Sequence, residues 1–265
     1  MKIVEGIYAS IDSKNKTLWL LIGNNQELFY SFETICNFYE SLNMISEIII
    51  NNELQQVVIK SANEKVWNMG GDLSFFIKCI KNRDTELLRE YAYKCVHCIQ
   101  AISNGFESNA LIISLVQGNA FGGGFESALA ADVLISLPNV KFSFPESLFG
   151  TFPGMGAYSC LTRKVGYKFA KRMISSGKKW DAEELFESNI VDLIIESGEN
   201  DVIIKLLKEN KFSPKDKLSK ICNVPSIEEL LSIVNEWIIV VMNLDQKSIL
   251  FMERIVNAQI EVVKN

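Results

Sequence analysis

The sequence holds one histidine, His97, in 265 residues. It also lacks a G-x-S-x-G nucleophile elbow, so a serine-hydrolase route has neither its turn nor a well-placed base. His97 falls inside a helical pattern and is assigned a structural or surface role. Cys95-Val96-His97-Cys98 has C-x-x-C spacing, but no second ligand pair accompanies it, and no metal site is expected. No apolar run reaches the length of a membrane span. The opening stretch MKIVEGIYASIDSK has no apolar core and no small-residue cleavage site of a signal peptide, so the expected location is the cytoplasm. Positive charge is in the minority: 27 Lys and Arg face 32 Asp and Glu, a net charge of −5 that argues against a nucleic-acid partner. Internal sequence repeats and low-complexity segments are absent as well.

What is present is an ample core, 48% hydrophobic, in a chain long enough for one large domain or one domain with an appendage. Six cysteines without a secretory signal read as free thiols, with Cys95 and Cys98 sharing a helix face as small apolar residues. Residues 3–22 read as two strands around the turn DSKNK. Phe32, Ile35, Phe38, Tyr39 and Leu42 have helical spacing. QQVVIKSA (55–62) is a strand, and WNMGGDLSFF turns through two glycines into a helix. Residues 84–104 read as a long helix, LIISLV (111–116) as a buried strand, GGGFESALAAD as a helix, and VLISL and KFSF as strands. Strand–turn–helix order of this kind implies an α/β protein. Residues 201–265 are expected to be mainly helical, broken near Pro214 and Pro225.

The stretch GNAFGGGFES (118–127) places three consecutive glycines between a strand and a helix. A dinucleotide loop would need a further glycine at position 127, which is serine. A phosphate-binding P-loop would need lysine after Gly123, which is followed by Gly124. An oxyanion site fits better: a helix N-terminus offers free backbone N–H groups, and glycine lets a carbonyl come close. Plain strand–helix packing explains three glycines equally well. WNMGGDL (67–73) is a second glycine turn entering a helix, however, and two turns can supply one N–H each. Two carboxylates accompany them. Glu126 lies in the first turn after the glycines, where it also suits the helix dipole. Glu146 lies in FSFPESLFG among apolar residues that raise a carboxyl pKa, although it also reads as an ordinary first-turn residue after Pro145. Each residue alone has an ordinary structural explanation, whereas the combination points to acid–base chemistry beside an oxyanion hole.

On WNMGGDL and VQGNAFGGGFESALAADVLIS the chain resembles the crotonase superfamily, the enoyl-CoA hydratase/isomerase group, over roughly residues 5–200. The resemblance implies the crotonase (ClpP/crotonase-like) fold, of repeated ββα units, for a core domain at 1–200. A helical C-terminal region at 201–265 would pack on the core or on a neighbouring subunit. That family places two catalytic glutamates 20 positions apart, matching Glu126 and Glu146, with Gly71 and Gly123 supplying the oxyanion N–H groups. WNMGGDLSFF, YAYKCVHCIQAI and above all FPGMGAYS are most similar to the diffusible-signal-factor synthases. An Asn-Arg-Pro segment common in hydratases is replaced by LLIGNNQELFYS. Asn189 stands where the superfamily usually has glycine, and a local change is expected there.

By that resemblance the expected reaction dehydrates a 3-hydroxyacyl thioester of acyl carrier protein and hydrolyses the enoyl thioester, releasing a cis-2-unsaturated fatty-acid signal. The alternatives are a conventional hydratase or isomerase acting on acyl-CoA, and a catalytically silent scaffold. No cofactor is implied beyond the phosphopantetheine arm that carries the substrate on carrier protein or coenzyme A. No order is assigned between Glu126 and Glu146. Arg163, Lys164, Lys168, Lys171, Arg172, Lys178 and Lys179 carry seven positive charges with no acid between them. Lys164, Lys168, Lys171 and Arg172 are candidate contacts to an acidic carrier or to coenzyme A phosphates, and read equally as a solvated helix face. A homotrimer or hexamer and a regulatory sensor protein are implied partners, again by resemblance alone.

Overall fold

The computed structural model describes residues 1–196 and 216–264. Two sheets run through it. The larger has seven strands in the order β1 (Lys2–Val4), β2 (Ile7–Asp12), β3 (Thr17–Ile22), β4 (Gln56–Ser61), β6 (Leu111–Val116), β8 (Val133–Ser136) and β11 (Leu193–Ile194). The smaller orders β10 (Lys179–Asp181), β9 (Lys141–Ser143), β7 (Asn119–Phe121) and β5 (Val66–Asn68).

The connection between the sheets explains the site. β4, β6 and β8 lie side by side and parallel in the large sheet. Each continues after a short turn into β5, β7 or β9, which are parallel neighbours in the small sheet. Chain segments that leave the small sheet therefore emerge next to one another. The first leads to α2 (Leu73–Asn82) and α3 (Thr85–Ser103), the second to α4 (Gly123–Leu129). The third leads to a 3-10 turn (Pro145–Phe149), then α5 (Ala157–Val165) and α6 (Tyr167–Ser176). This is the ββα stacking that the family resemblance implies.

LIISLV forms β6, and all six of its residues are buried, as a central strand covered on both faces requires. The expected helix at residue 32 is α1 (Phe32–Asn51), capped by the Ser31 hydroxyl on Thr34 N–H. The turn DSKNK joins β2 to β3 in an antiparallel pair. The strands of the small sheet are three residues each and carry no readable alternation, so β5, β7 and β10 were not foreseen. α7 (Ala182–Glu187) ends beside Asn189, which has φ +58°. Asparagine is among the few side chains that adopt this left-handed conformation readily, so it replaces glycine there with little disturbance.

The expected break at Pro214 and the boundary at residue 200 lie outside the described residues. The break at Pro225 separates α8 (Lys217–Asn223) from α9 (Ile227–Met242), and α10 (Gln246–Lys264) follows. α9 lies along α3, where Tyr93 donates to Asn235 Oδ1 at 2.7 Å, and it also touches α2, where the Trp237 ring meets Phe76 edge-on at 5.3 Å. α10 reaches α2 through Lys81 and Glu253, 2.6 Å apart. Among the described residues, no helix is long and apolar enough to cross a membrane.

Candidate active site

Gly71 follows β5, Gly123 follows β7 and Glu146 follows β9, so three successive units each deliver one site residue from an equivalent position. The first turn is shaped by Asn68, whose side-chain oxygen accepts the Gly70 N–H at 2.8 Å. Asp72 then caps α2 by accepting from Ser74 and Phe75 N–H. The second turn touches the first: a Cβ placed on Gly123 would lie 3.8 Å from Gly71 N. Neither the Gly71 nor the Gly123 N–H donates to any group among the described residues. Two adjacent donors with no partner among the described residues, on turns that line one cavity, are what a developing oxyanion needs.

The glycine run has two separate reasons. A Cβ on Gly124 would sit 2.2 Å from the Asn68 carbonyl oxygen, so this glycine serves strand–helix packing. A Cβ on Gly122 would sit 2.5 Å from Glu146 Oε1, and its φ of +51° is itself left-handed, so this glycine makes room for the carboxyl group. Gly124 O is further held by Trp67 Nε1 at 2.9 Å and by Ser127 Oγ at 2.8 Å, and Ser127 meets the Tyr30 hydroxyl at 2.9 Å. The start of α4 is thereby fixed from behind.

Glu126 is 1% exposed. Its Oε2 accepts the Met155 and Ala157 N–H groups, each at 2.8 Å. These donors belong to the segment FPGMGAYS. Burial raises the Glu126 carboxyl to about 7, against the pull of the Ala157, Met155 and Gly156 N–H groups toward ionisation. Glu146 is held differently. It stands on the 3-10 turn, which ends at Gly150 with φ +83° rather than growing into the helix that Pro145 suggests. Its Oε2 is buried without a partner among the described residues. Burial raises this carboxyl to about 8, and the charge of Glu126 adds to the rise.

Both carboxyl groups and both glycine turns line one cavity of about 500 Å³. Its wall is otherwise mostly apolar. Trp237 and Val241 of α9 and Phe251 and Met252 of α10 close one side, in a region where sequence analysis found no motif. Thr151 also lines it, as does Lys179, the one residue of the basic stretch that does so. Lys164, Lys168, Lys171 and Arg172 do not line it. Lys164 pairs with Asp192 at 3.3 Å and Arg163 binds Glu229 through two bonds of 2.8 Å, so part of the basic stretch is neutralised by acids from elsewhere in the chain. Lys168, Lys171 and Arg172 are exposed, the last two over the rings of Tyr167 and Phe169. His97 is half-buried against Tyr39, and Cys95 and Cys98 are buried free thiols on α3. No cluster of metal-binding side chains occurs among the described residues.

A family model described as enoyl-CoA hydratase/isomerase matches residues 31–209. Among curated proteins the chain is 28% identical over 158 residues to the short-chain-enoyl-CoA hydratase of Clostridium acetobutylicum, covering 59% of this chain and 57% of that one. It is 30% identical over 176 residues to the probable mitochondrial enoyl-CoA hydratase 2 of Arabidopsis thaliana, covering 66% and 53%. The chain thus spans little more than half the length of these curated relatives. Among solved structures, an enoyl-CoA hydratase from Bacillus halodurans superposes with a TM-score of 0.75 at 21% identity, over 93% of this chain and 98% of that one. Pseudomonas aeruginosa DspI superposes with a TM-score of 0.69 at 22% identity, over 89% and 86%. At such identities the likeness is one of fold, and it establishes the α/β crotonase architecture with its helical C-terminal region.

Proposed function

Because this chain belongs to the enoyl-CoA hydratase/isomerase family, we propose that it adds water to, or removes it from, the C2–C3 bond of an acyl thioester. The observation that carries this reading is the single cavity that brings the free Gly71 and Gly123 N–H groups together with two buried carboxyls of raised pKa. In this reading the thioester carbonyl oxygen lies between the two N–H groups, which stabilise the enolate; one such donor is worth about 3–4 kcal/mol elsewhere. Glu126 and Glu146 share the proton work at C2 and C3, with one ionised and the other protonated. The apolar wall receives the acyl chain. The names of the curated relatives favour coenzyme A as carrier.

A second reading continues the reaction. After dehydration a carboxylate activates water against the same carbonyl, and a cis-2-unsaturated free acid leaves, as in the diffusible-signal-factor synthases. The FPGMGAYS segment favours it, because the part of the sequence that carries this narrower resemblance is the part that holds Glu126.

One assay separates the two. Purified protein is given 3-hydroxyacyl and 2-enoyl thioesters of coenzyme A and of acyl carrier protein, and the products are resolved by mass spectrometry. Interconversion of the two thioesters without free acid supports the hydratase, and release of a cis-2-enoic acid supports the synthase. No turnover of any thioester would leave the scaffold alternative.

A further inference from the structure

The 3-10 turn and the residue just past its Gly150 cap leave two polar atoms unaccounted for. Glu146 Oε2 and Thr151 Oγ1 are both buried, and neither has a hydrogen-bond partner among the described residues. Buried polar atoms are nearly always paired, so each unpaired one asks for a reason. These two belong to one short unit: the Thr151 N–H donates to the Glu146 carbonyl at 3.1 Å, and both residues line the cavity. Thr151 is 9% exposed. Glu126 is in another position, since its Oε2 already accepts two N–H bonds. Among the described side chains of the cavity wall, unspent buried hydrogen-bonding capacity is concentrated in the short segment from Glu146 to Thr151.

We propose that the Thr151 hydroxyl and the Glu146 carboxyl together seat the oxygen that is joined to C3, which is water in hydration and the 3-hydroxyl in dehydration. The proposal rests on the hydration–dehydration reading above. In hydration the water oxygen forms the bond to C3 and releases one proton to a carboxylate. The C2=C3 electron pair shifts toward the thioester carbonyl, and C2 then takes a proton from a carboxyl group. Dehydration is the reverse, with the C3–O bond breaking and water leaving. A water molecule is held well only by two to four polar partners. Inside a mostly apolar wall a lone carboxyl is one partner, and the threonine hydroxyl, which both donates and accepts, is a second. Thr151 is thus a substrate-positioning residue for the oxygen, while a thioester without oxygen at C3 makes no use of it.

The test compares wild type with Thr151→Val, which keeps the shape and removes the hydroxyl, and Thr151→Ser, which keeps the hydroxyl. Two quantities are measured on each: kcat/KM for dehydration of a 3-hydroxyacyl-CoA, and the calorimetric Kd of the saturated acyl-CoA of the same chain length. Thr151→Val is expected to lower kcat/KM about ten- to a hundredfold, the usual scale for one lost hydrogen bond to a charged or reacting group. The saturated thioester should bind within twofold of wild type, and Thr151→Ser should recover most of the activity. Parallel loss of dehydration and of saturated-thioester binding would make Thr151 merely structural and overturn the proposal. An unchanged kcat/KM in Thr151→Val would overturn it equally. A wild type that binds the saturated thioester but does not dehydrate the 3-hydroxyacyl-CoA would remove the reading on which the proposal rests, an outcome distinct from the other two.

Discussion

Glu126 and Glu146 reach one cavity from supports of opposite character. Glu126 stands in the first turn of α4, on a helix whose start is held by Trp67, Ser127 and Tyr30, and one of its oxygens is held by two backbone N–H groups. Glu146 stands on one 3-10 turn, has an oxygen with no partner among the described residues, and lies against a glycine. Burial acts on both, yet the donors at Glu126 restrain its rise to about 7 while Glu146 goes to about 8 with the first charge as its neighbour. Two like residues in one pocket are thereby made unlike. Such separation lets one member of a pair be ionised while the other keeps its proton. The difference also suggests a division between a carboxyl fixed in place and one left free to meet a guest.

The strongest way to break the comparison is to remove each carboxyl. Glu126→Gln and Glu146→Gln are each expected to lower the hydration kcat about 10²- to 10⁴-fold, the scale of positioned acid–base groups. Truncation to alanine should then separate the two. Glu126→Ala leaves the Met155 and Ala157 N–H groups without an acceptor, which costs about 1–3 kcal/mol for each such buried donor. Glu146→Ala removes an atom with no partner among the described residues and should not lower the denaturant midpoint comparably. Equal stability losses in the two alanine variants would contradict the asymmetry.

The pH profile sharpens it. A reaction that needs one carboxylate and one carboxyl has its highest kcat/KM between the two apparent values, about 7 and about 8. It should fall about tenfold per pH unit on either side, with the values belonging to the coupled pair. A plateau from pH 5 to 7 would show that the two groups do not share one proton in this way.

How much of this was legible in the sequence divides along the same line. The two glycine turns and the glutamates near them leave a local signature, and they line one cavity, whereas the choice of Gly71 and Gly123 as donors comes from the family resemblance. β6 was readable because a doubly covered strand is nearly all apolar, here at every position but Ser114. The stacking of ββα units left no repeat in the sequence, because it needs only strands of suitable length and short turns, and those of the small sheet are too short to show a period. Thr151 and Lys179 join the site through chain paths that no local pattern encodes. Trp237 and Phe251 do so from helices whose apolar faces look like any core-facing stripe. The N–H bonds from Met155 and Ala157 are backbone contacts, which side-chain identity cannot announce.

The glycine run provides a smaller test of the same contrast. Gly124→Ala drives a methyl into the Asn68 carbonyl, a backbone atom that cannot turn away, and should destabilise the fold by about 1–3 kcal/mol. Gly122→Ala meets only the end of the Glu146 side chain. It should lower kcat through displacement of that carboxyl, and the backbone at φ +51° and ψ −128°, which side chains rarely adopt, adds about 1–3 kcal/mol of strain. Thermal melts and turnover measured together check this, and a Gly122→Ala protein with full activity would count against the placement of Glu146.

The least effect is expected from Glu146→Gln on stability, and its sign follows from linkage. The carboxyl is raised from 4.5 in the unfolded chain to about 8 in the fold, so between these values the folded protein binds more protons than the unfolded one. Stability contributed by this group therefore falls as pH rises through that window. The full shift would correspond to about 5 kcal/mol at 1.36 kcal/mol per unit. Water entering the cavity and movement of the turn screen the charge, so about 1–2 kcal/mol is expected. Glutamine has no charge to desolvate. Glu146→Gln should accordingly be more stable than wild type at pH 8.5 and equal to it near pH 4.5, in the same protein that has lost its turnover. For Glu126→Gln the gain should be less, because its two N–H donors already stabilise the anion that glutamine would replace. Urea midpoints at the two pH values measure both, and a Glu126→Gln gain as large as that of Glu146→Gln would mean that the backbone donors do not distinguish the two sites.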